Sequence, residues 1–167
     1  MIKTTPRRYV TMGVSGCGKS DIGQRLATHL GIPFIEGDAW HSPANILKMA
    51  GGIPLTDADR AEWLATLRDK IAGSDAMVLS CSSLKRRYRD VLREGAPDLF
   101  FVELDGPRAL IEERMRARTA HFMPTSLLDS QFRDLEPLQA DEAGLRVAII
   151  NTPDTIVQTI LVELTGR

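Results

Sequence analysis

The chain has 167 residues, of which 43% are hydrophobic and 26% are charged. This length predicts one domain spanning residues 1–167, and the composition is typical of globular proteins and excludes a disordered or collagen-like chain. Lys and Arg number 21, Asp and Glu number 22, and the net charge is -1, so no overall basic field favours nucleic acid or an anionic membrane as a partner.

Cysteine usage and hydropathy indicate the compartment. Two cysteines, Cys17 and Cys81, are too few for a disulfide framework and favour a reducing environment. No stretch approaches the roughly 18 apolar residues of a membrane span. The first eight residues contain basic side chains without the apolar core of a signal peptide. We therefore expect a soluble cytoplasmic protein.

Short apolar runs alternate along the chain with longer segments of helical periodicity. The runs predict strands at Tyr9–Met12, Pro33–Glu36, Ala76–Ser80, Leu99–Val102 and Leu145–Ile150. The periodic segments predict helices at Lys19–Leu30, Pro43 to about Ala50, Leu84–Arg93, Pro107–Arg118 and Pro153–Leu164. A further helix is predicted to begin after the cap Thr56 and to carry Trp63, Leu64, Leu67 and Ile71 on one face. Strands that are buried on both faces and separated by helices predict an α/β three-layer sandwich with a five-stranded parallel sheet.

The segment GVSGCGKS, from Gly13 to Ser20, matches the phosphate-loop pattern G-x-x-x-x-G-K-[ST] at every fixed position. Glycines let successive N–H groups converge on phosphate oxygens, and the following helix directs the positive end of its dipole at the same anion. Lys19 then reaches the β- and γ-phosphates, and the Ser20 hydroxyl is placed to hold Mg²⁺. ATP and Mg²⁺ are thus the predicted cofactors, and the predicted binding residues of the loop are Gly13, Ser15, Gly16, Cys17, Gly18, Lys19 and Ser20. The side chain of Cys17 is interpreted as a small filler rather than a reactive thiol.

A second group of polar residues follows the second predicted strand. Asp38 comes at the carboxyl end of that strand, which faces the ligand crevice of a parallel sheet. It is a candidate to bind Mg²⁺ through water or to accept a hydroxyl proton, and its alternative is a loop or helix-cap aspartate. His41, Asn45 and Lys48 share one face of the next helix. Such a stripe suits a polyhydroxylated substrate, and the alternative is a solvated helix face.

Four segments together resemble one family, the gluconate kinases of the small phosphate-loop type, also called thermoresistant gluconokinases. The segments are GVSGCGKS, FIEGDAWHSPANILKMAGGIPLTDADR, CSSLKRRYRDVLR and RTAHFMPTSLLDSQFRDLE. They occur in the family's order and spacing, and the resemblance extends from about residue 8 to residue 164. The parts GIPLTD and HFMPTSLLxSQF are far more specific than the phosphate loop, which many families share.

The resemblance implies ATP-dependent phosphorylation of D-gluconate to 6-phospho-D-gluconate. It also implies a fold like that of nucleoside monophosphate kinases and shikimate kinase, a mobile lid at about residues 119–130, and often a homodimer. Two positions depart from the family pattern. Ala39 stands where a second acidic residue is common, which weakens a two-carboxylate metal site. Ala120 stands where glycine commonly precedes the lid histidine, which bears on lid bending.

Basic residues near the lid and after the third strand complete the candidate site. Arg114 and Arg118 lie one helical turn apart before the lid and can close over ATP, or they can pair with nearby glutamates. The resemblance favours Arg118 as the catalytic lid arginine beside Lys19 and Asp38, and implies that the lid histidine, His121, contacts substrate. In the family, the stretch with Ser82, Lys85 and Arg86 borders the acceptor, whose carboxylate needs a cation. The acidic residues close to this basic run disfavour nucleic-acid binding.

Two other interpretations of the sequence are possible. The first is another small-metabolite kinase, such as a shikimate kinase relative, which would be expected to show D-x-D and triple-glycine motifs that this chain lacks. The second is a nucleotide-binding regulatory module without acceptor chemistry. Lys19, Ser20 and Asp38 argue against that second reading, since each suits phosphoryl transfer.

Overall fold

The computed structural model describes residues 6–117 and 125–166, and these contain one parallel sheet. Its strands are β1 (Arg8–Met12), β2 (Phe34–Glu36), β3 (Met77–Ser80), β4 (Phe100–Asp105) and β5 (Gly144–Ala148). They lie side by side in the order β2-β3-β1-β4-β5, and each neighbouring pair is parallel. The predicted five-stranded parallel sheet is confirmed. Strand β4 runs on to Asp105, beyond the predicted end, because Glu103 continues the strand although it interrupts the apolar run.

The helices of the described residues connect these strands. They are α1 (Lys19–Leu30), α2 (Pro43–Ala50), α3 (Asp57–Ala72), α4 (Arg86–Arg93), α5 (Arg108–Ala117), α6 (Thr125–Asp134) and α7 (Pro153–Thr165), with one 3₁₀ turn at Gly37–Trp40. Most predicted helices are confirmed within two residues at each end. Helix α4 begins later than predicted because Lys85 is still extended. The sequence patterns did not predict the 3₁₀ turn or α6. No helix among the described residues is long and apolar enough to cross a membrane.

Apolar side chains fill both faces of the sheet. Alternation along β1 places Tyr9 in one core cluster, with residues of α1 and α7, and Val10 in the other, with residues of α3 and α4. The two faces complete a three-layer α/β arrangement. The expectation that strands are buried on both faces is wrong for the edge strands. Residues of β2 are half-buried and β5 exposes Arg146 and Ala148, because an edge strand has a neighbour on one side alone.

Candidate active site

The phosphate loop lies between β1 and α1 and has the backbone of an anion cradle. Gly16 and Gly18 have φ values of 82° and 95°, in the left-handed region that favours glycine. The Gly13 N–H donates to the Ser82 carbonyl at 3.1 Å, which ties the loop to the carboxyl end of β3. Cys17 is buried, in agreement with a filling role. The loop's shape therefore depends on Gly18, at a fixed position of the motif, and on Gly16, at a variable one.

Lys19 and Ser20 begin α1 at the mouth of this loop. The backbone carbonyl of Lys19 accepts a hydrogen bond of 2.7 Å from the Thr11 hydroxyl, which anchors the start of the helix to β1. Ser20 Oγ lies 3.2 Å from Ser80 Oγ, at the last residue of β3. The Lys19 side chain faces a cavity of about 250 Å³. The loop thus presents one cation and one hydroxyl at the carboxyl edge of the sheet.

The cavity beside Lys19 is built from the phosphate loop, the 3₁₀ turn, α2, α3, the loop after β3 and α6. Its polar lining consists of Ser15, Lys19, Asp38, His41, Arg60, Ser82, Ser130 and Gln131. Its apolar lining consists of Ile46, Met49, Ala50, Pro54, Leu55, Trp63 and Leu127. Among these described lining residues, Asp38 supplies the single carboxylate. A polar molecule held here would lie between Lys19 and Asp38.

The 3₁₀ turn holds Asp38 at this cavity. A Cβ on Gly37 would lie 2.2 Å from the Ser80 carbonyl oxygen, so glycine lets the turn pack directly on the end of β3. On its other side, the Trp63 indole N–H donates to the Gly37 carbonyl at 2.8 Å. The turn is therefore clamped between β3 and α3, and Asp38 follows the clamped residue. The Asp38 side chain remains 59% exposed, accessible to a ligand.

The predicted stripe on α2 does not face the cavity as a unit. His41 lines it, but the Lys48 ammonium lies 2.9 Å from both carboxylate oxygens of Asp59, and Asn45 Nδ2 donates to the Asp59 carbonyl at 2.8 Å. The Thr56 backbone N–H and then Lys48 hold the pKa of Asp59 below its usual value. The opposite face of α2, with Ile46 and Met49, lines the cavity instead. Asn45 and Lys48 are drawn away because Asp59 supplies their partners.

Lys85 and Arg86, which were predicted to contact the acceptor from the segment after β3, form ion pairs outside the cavity. Arg86 makes a two-pronged ion pair with Asp141, at 2.7 and 2.8 Å, which raises its pKa. Lys85 lies 3.5 Å from Asp57. Ser82, in contrast, lines the cavity. Neither Lys85 nor Arg86 is among the residues that line the cavity.

Arg60 of α3 is a cation at the cavity that sequence reasoning missed. It is 8% exposed, and its guanidinium donates to the Tyr88 hydroxyl at 2.8 Å. The Asp134 carboxylate lies 3.8 Å away, too far for a hydrogen bond. The available signal was a charge on an apolar helix face, because Arg60 precedes Trp63 and Leu64 by one helical turn. A nearly buried guanidinium with an incomplete set of anionic partners suits a carboxylate ligand.

Helix α6 brings a second missed residue to the phosphate loop. The side-chain oxygen of Gln131 accepts from the Ser15 backbone N–H at 2.7 Å. Residues 125–130 of the predicted lid lie in helix α6, where Leu127, Leu128 and Ser130 are buried. The rest of the predicted lid, with Arg118 and His121, lies outside the described residues. The SQF part of the motif is the sequence signal for this contact.

A second cavity, of about 320 Å³, lies on the other side of the phosphate loop. It is lined by Gly16, Cys17, Gly18, Asp21, Ile22, Arg114, Ala117, Asn151, Pro153 and Ile156. Arg114 donates to the Ile149 carbonyl at 2.7 Å, and the nearby Glu112 pairs with Arg108. The predicted nucleotide contact Arg114 therefore lies beside the phosphate loop. The phosphate loop therefore lies between two separate cavities with different lining residues, and a reaction with two substrates needs two such sites.

A phosphate loop between two cavities, at the carboxyl edge of a parallel sheet, defines the class of phosphate-loop kinases. A family profile described as an AAA domain matches residues 9–138. A gluconokinase of Gluconobacter oxydans is 46% identical over 160 residues, which cover 93% of this chain and 90% of that protein. The crystal structure of a gluconokinase from Sinorhizobium meliloti is 47% identical with a TM-score of 0.91, over 98% of this chain and 94% of that one. The chain belongs to the gluconokinase family.

The fold is also shared more widely. The crystal structure of a shikimate kinase from Aquifex aeolicus is 19% identical and has a TM-score of 0.62, over 95% of this chain and 96% of that one. At this identity the likeness concerns the fold alone. The fold expected from the family resemblance is thereby confirmed.

Proposed function

We propose that this protein transfers the γ-phosphoryl group of ATP to D-gluconate and forms 6-phospho-D-gluconate and ADP. The observation that carries the proposal is the cavity beside the phosphate loop, where Asp38 and Arg60 join Lys19 in one lining. A sugar acid has both a hydroxyl to phosphorylate and a carboxylate to bind. Membership of the gluconokinase family supports the same acceptor.

In this proposal, an acceptor hydroxyl oxygen attacks the γ-phosphorus while the bond from that phosphorus to the β–γ bridging oxygen breaks. Lys19 and the loop N–H groups stabilise the charge that moves onto the phosphate oxygens. Asp38 orients the hydroxyl and receives its proton, since it is the single carboxylate among the described residues of the cavity. Arg118 remains our proposed lid arginine on the strength of the family resemblance.

The acceptor's carboxylate is assigned to Arg60 in place of Lys85 and Arg86. Arg60 lines the cavity, whereas the two predicted cations are paired with Asp57 and Asp141. A guanidinium binds a carboxylate through two parallel hydrogen bonds, which fixes orientation as well as affinity. His41, Ser82 and Ser130 offer hydrogen bonds to the remaining hydroxyl groups. This arrangement favours an acidic polyol over a neutral sugar.

The oxygen donors at the crevice fit Mg²⁺. The Ser20 hydroxyl stands beside the phosphate loop and Asp38 lines the neighbouring cavity. Mg²⁺ is commonly held by one or two protein oxygens together with phosphate oxygens and water. In residues 6–117 and 125–166, no group of three His, Cys, Asp or Glu side chains forms a metal cage. When bound, the ion would neutralise charge on the phosphates, with Ser20 and Asp38 as its protein contacts.

The second cavity is the proposed site of the nucleotide base. Arg114 and Asn151 supply polar edges there, and Ile156 with Pro153 supplies an apolar surface for a flat ring. The family resemblance further supports a homodimer, and the composition favours a cytoplasmic location. Both remain predictions.

The test is ADP formation by the purified protein with ATP and Mg²⁺, measured with D-gluconate, with shikimate and with no acceptor. We expect rapid ADP formation with gluconate but not with shikimate or without an acceptor, and we expect 6-phosphogluconate to form in the same amount as ADP. Preference for shikimate would favour the other small-metabolite kinase. Acceptor-independent ATP hydrolysis, or none at all, would contradict the proposal.

A further inference from the structure

His41 lies at the boundary between the acceptor cavity and the packed core. Its side chain is 4% exposed and stacks on Trp63, with ring centroids 4.0 Å apart and ring planes 18° apart. The Trp63 indole is itself fixed by its hydrogen bond to the Gly37 carbonyl. Stacking on Trp63 therefore sets the plane of the imidazole, and the polar atom of Trp63 is bonded to the Gly37 carbonyl.

The amide orientation of Asn45 follows from its partner. Its terminal atom lies 2.8 Å from the Asp59 backbone carbonyl, which only accepts hydrogen bonds, so this atom is the amide nitrogen, Nδ2. The same nitrogen lies 3.5 Å from Nδ1 of His41. Asn45 is 4% exposed, so solvent does not compete strongly at this contact. At 3.5 Å, the outer limit of a hydrogen bond, the amide nitrogen can donate its second hydrogen to Nδ1 of His41.

A ring nitrogen that faces an N–H donor must carry a lone pair. To accept a hydrogen bond from Asn45, Nδ1 of His41 has to be the unprotonated nitrogen, and this arrangement would place the proton of the neutral ring on Nε2. Burial lowers the pKa of His41, Asp38 opposes this shift and Arg60 adds to it, and the net direction favours the neutral ring. These are the charged groups that face the imidazole from the 3₁₀ turn and from α3.

The Nε2 atom points toward Asp38. It lies 3.9 Å from the carboxylate oxygen, longer than a hydrogen bond. A single hydroxyl oxygen can bridge this gap by accepting from Nε2–H and donating to the carboxylate. Both residues line the cavity assigned to the acceptor.

We propose that Asn45 and Trp63 are positioning residues that hold His41 as an Nε2–H donor, and that this N–H binds a hydroxyl oxygen of the acceptor beside Asp38. The inference rests on the proposed function, because the hydroxyl belongs to the phosphoryl acceptor. It gives Asn45 a different role from direct substrate contact. Asn45 acts through the tautomer of its neighbour.

The first test is the tautomer itself, read from two-bond ¹H–¹⁵N correlations of histidine-labelled wild-type protein at neutral pH. The His41→Gln variant assigns the signal, and His29→Gln, at an exposed position on α1, is the matched control. We expect protonation at Nε2 and a shift of that signal when D-gluconate is added. Protonation at Nδ1, or a doubly protonated ring, would overturn the inference.

The second test is Asn45→Asp, which replaces the donor to Nδ1 by an acceptor of the same shape. We expect Nδ1 to become protonated; at a pH high enough to keep the ring neutral, Nε2 then lacks its proton and the KM for gluconate rises at least about tenfold, the effect of one lost hydrogen bond, with the KM for ATP within about twofold. Equal changes in both KM values would indicate a general structural defect and overturn the positioning role.

These outcomes separate the inference from the proposed function. A wild-type protein that phosphorylates gluconate but carries the Nδ1–H tautomer overturns the inference and leaves the function standing. A protein with the Nε2–H tautomer and no activity toward gluconate overturns the proposed function instead.

Discussion

Lys19, Asp38 and Arg60 face one cavity from three different elements, and each has a separate electrostatic task. Lys19 is assigned to the transferred phosphoryl group, Asp38 to the attacking hydroxyl and Arg60 to the acceptor's carboxylate. Because the three side chains contact different parts of the reactants, their substitutions should differ in which kinetic constant they change.

Replacing Lys19 by methionine should lower kcat by at least about 10²-fold, since one preorganised charge is lost where phosphoryl charge develops. The free energy of unfolding should change little, because methionine keeps the apolar stem of the side chain. Steady-state kinetics and urea unfolding measure both quantities. Lys70→Met, on α3 and against the Trp40 ring, is the control away from the cavity. A folded Lys19→Met protein with wild-type kcat would refute the phosphate-loop assignment.

Replacing Asp38 by asparagine should lower kcat steeply while ATP affinity changes little, since the carboxylate acts mainly in the transition state. Asp98→Asn, 73% exposed at the opposite edge of the sheet, is the matched control. Adding Ala39→Asp tests whether a neighbouring acid rescues the loss. If kcat for Asp38→Asn stays within about threefold of wild type, a barrier change of only ~0.65 kcal/mol, Asp38 is not catalytic.

Replacing Arg60 by glutamine should raise the KM for gluconate by about tenfold to a hundredfold, the range expected when a charge-assisted hydrogen bond is lost. The kcat/KM for glucose should change little, because glucose has no carboxylate. The control is Arg68→Gln, two helical turns further along α3, where the arginine pairs with Glu94. Equal losses for both acceptors would remove Arg60 from the carboxylate site.

At the scale of elements, the site depends on how the 3₁₀ turn meets β3 and α3. The close approach of Gly37 to Ser80 and the indole bond from Trp63 fix the residues that follow, Asp38 and His41. Local sequence explains each element separately. The contact between them needs the parallel sheet.

Replacing Gly37 by alanine should therefore disturb the site as well as the fold. The new Cβ would lie 2.2 Å from the Ser80 carbonyl oxygen, and overpacking of this kind costs about 1–3 kcal/mol. We expect a lower unfolding midpoint together with reduced kcat. Gly73→Ala, whose Cβ would be 3.4 Å from the nearest atom, is the control and should be almost neutral. Comparable stability of the two variants would show that the turn moves freely.

Periodicity and capping predicted most elements because these signals are local. Thr56 caps α3 as predicted and forms a capping box with Asp59, and Gly31 ends α1 in the left-handed conformation. The partners of Lys48 and Arg86 are instead 11 and 55 residues away along the chain. No local pattern encodes such pairings, so the direction of these side chains could not be predicted from the sequence.

Arg60 and α6 were missed for different reasons. The apolar stripe of α3 predicts packing against the core, and a single charge on that face does not by itself indicate a binding site. The proline and threonine that precede Leu127 resemble an interruption, yet the buried leucines that follow belong to a regular helix. The position of the phosphate loop between β1 and α1 could be predicted because its motif combines glycine geometry with charge in eight consecutive residues.

At the scale of the whole molecule, a buried ion pair links α4 to the loop before β5. Arg89 and Glu142 have fully buried side chains joined at 2.7 and 2.9 Å, and Arg93 also contacts this carboxylate. Arg89 in addition donates to the Ser83 carbonyl at 2.9 Å, next to the cavity residue Ser82. Through Ser83, the ion-pair network therefore stabilises the segment that carries the cavity residue Ser82.

Glu142 should make stability depend on acid. Burial raises its pKa, but hydrogen bonds from Arg89, the Gln139 N–H and Arg93 outweigh burial and bring the pKa to about 2, below the ordinary 4.5. The charged carboxylate therefore stabilises the fold above about pH 4.5, and this contribution is lost as the pH falls toward 2. Glu142→Gln should lower the free energy of unfolding by about 3–5 kcal/mol at neutral pH.

Urea unfolding at neutral pH, pH 4.5 and pH 3 tests this dependence. The gap between wild type and Glu142→Gln should narrow as the pH falls from 4.5 to 3, because the Glu142 carboxylate of the unfolded chain then binds a proton while that of the folded protein, with a pKa of about 2, stays charged. Glu163→Gln, exposed on α7, is the control and should show no gap. A gap that stays constant over this range would contradict the assignment of the acid dependence to Glu142.

The central claim is that the cavity between Lys19, Asp38 and Arg60 accepts a sugar acid. The most direct test is kcat/KM for D-gluconate against D-glucose with the wild-type protein, at saturating ATP and Mg²⁺. We predict a preference for gluconate of at least about 10²-fold, since glucose offers no carboxylate to the nearly buried guanidinium of Arg60. Comparable kcat/KM values for the two acceptors would contradict the proposal that this cavity accepts a sugar acid.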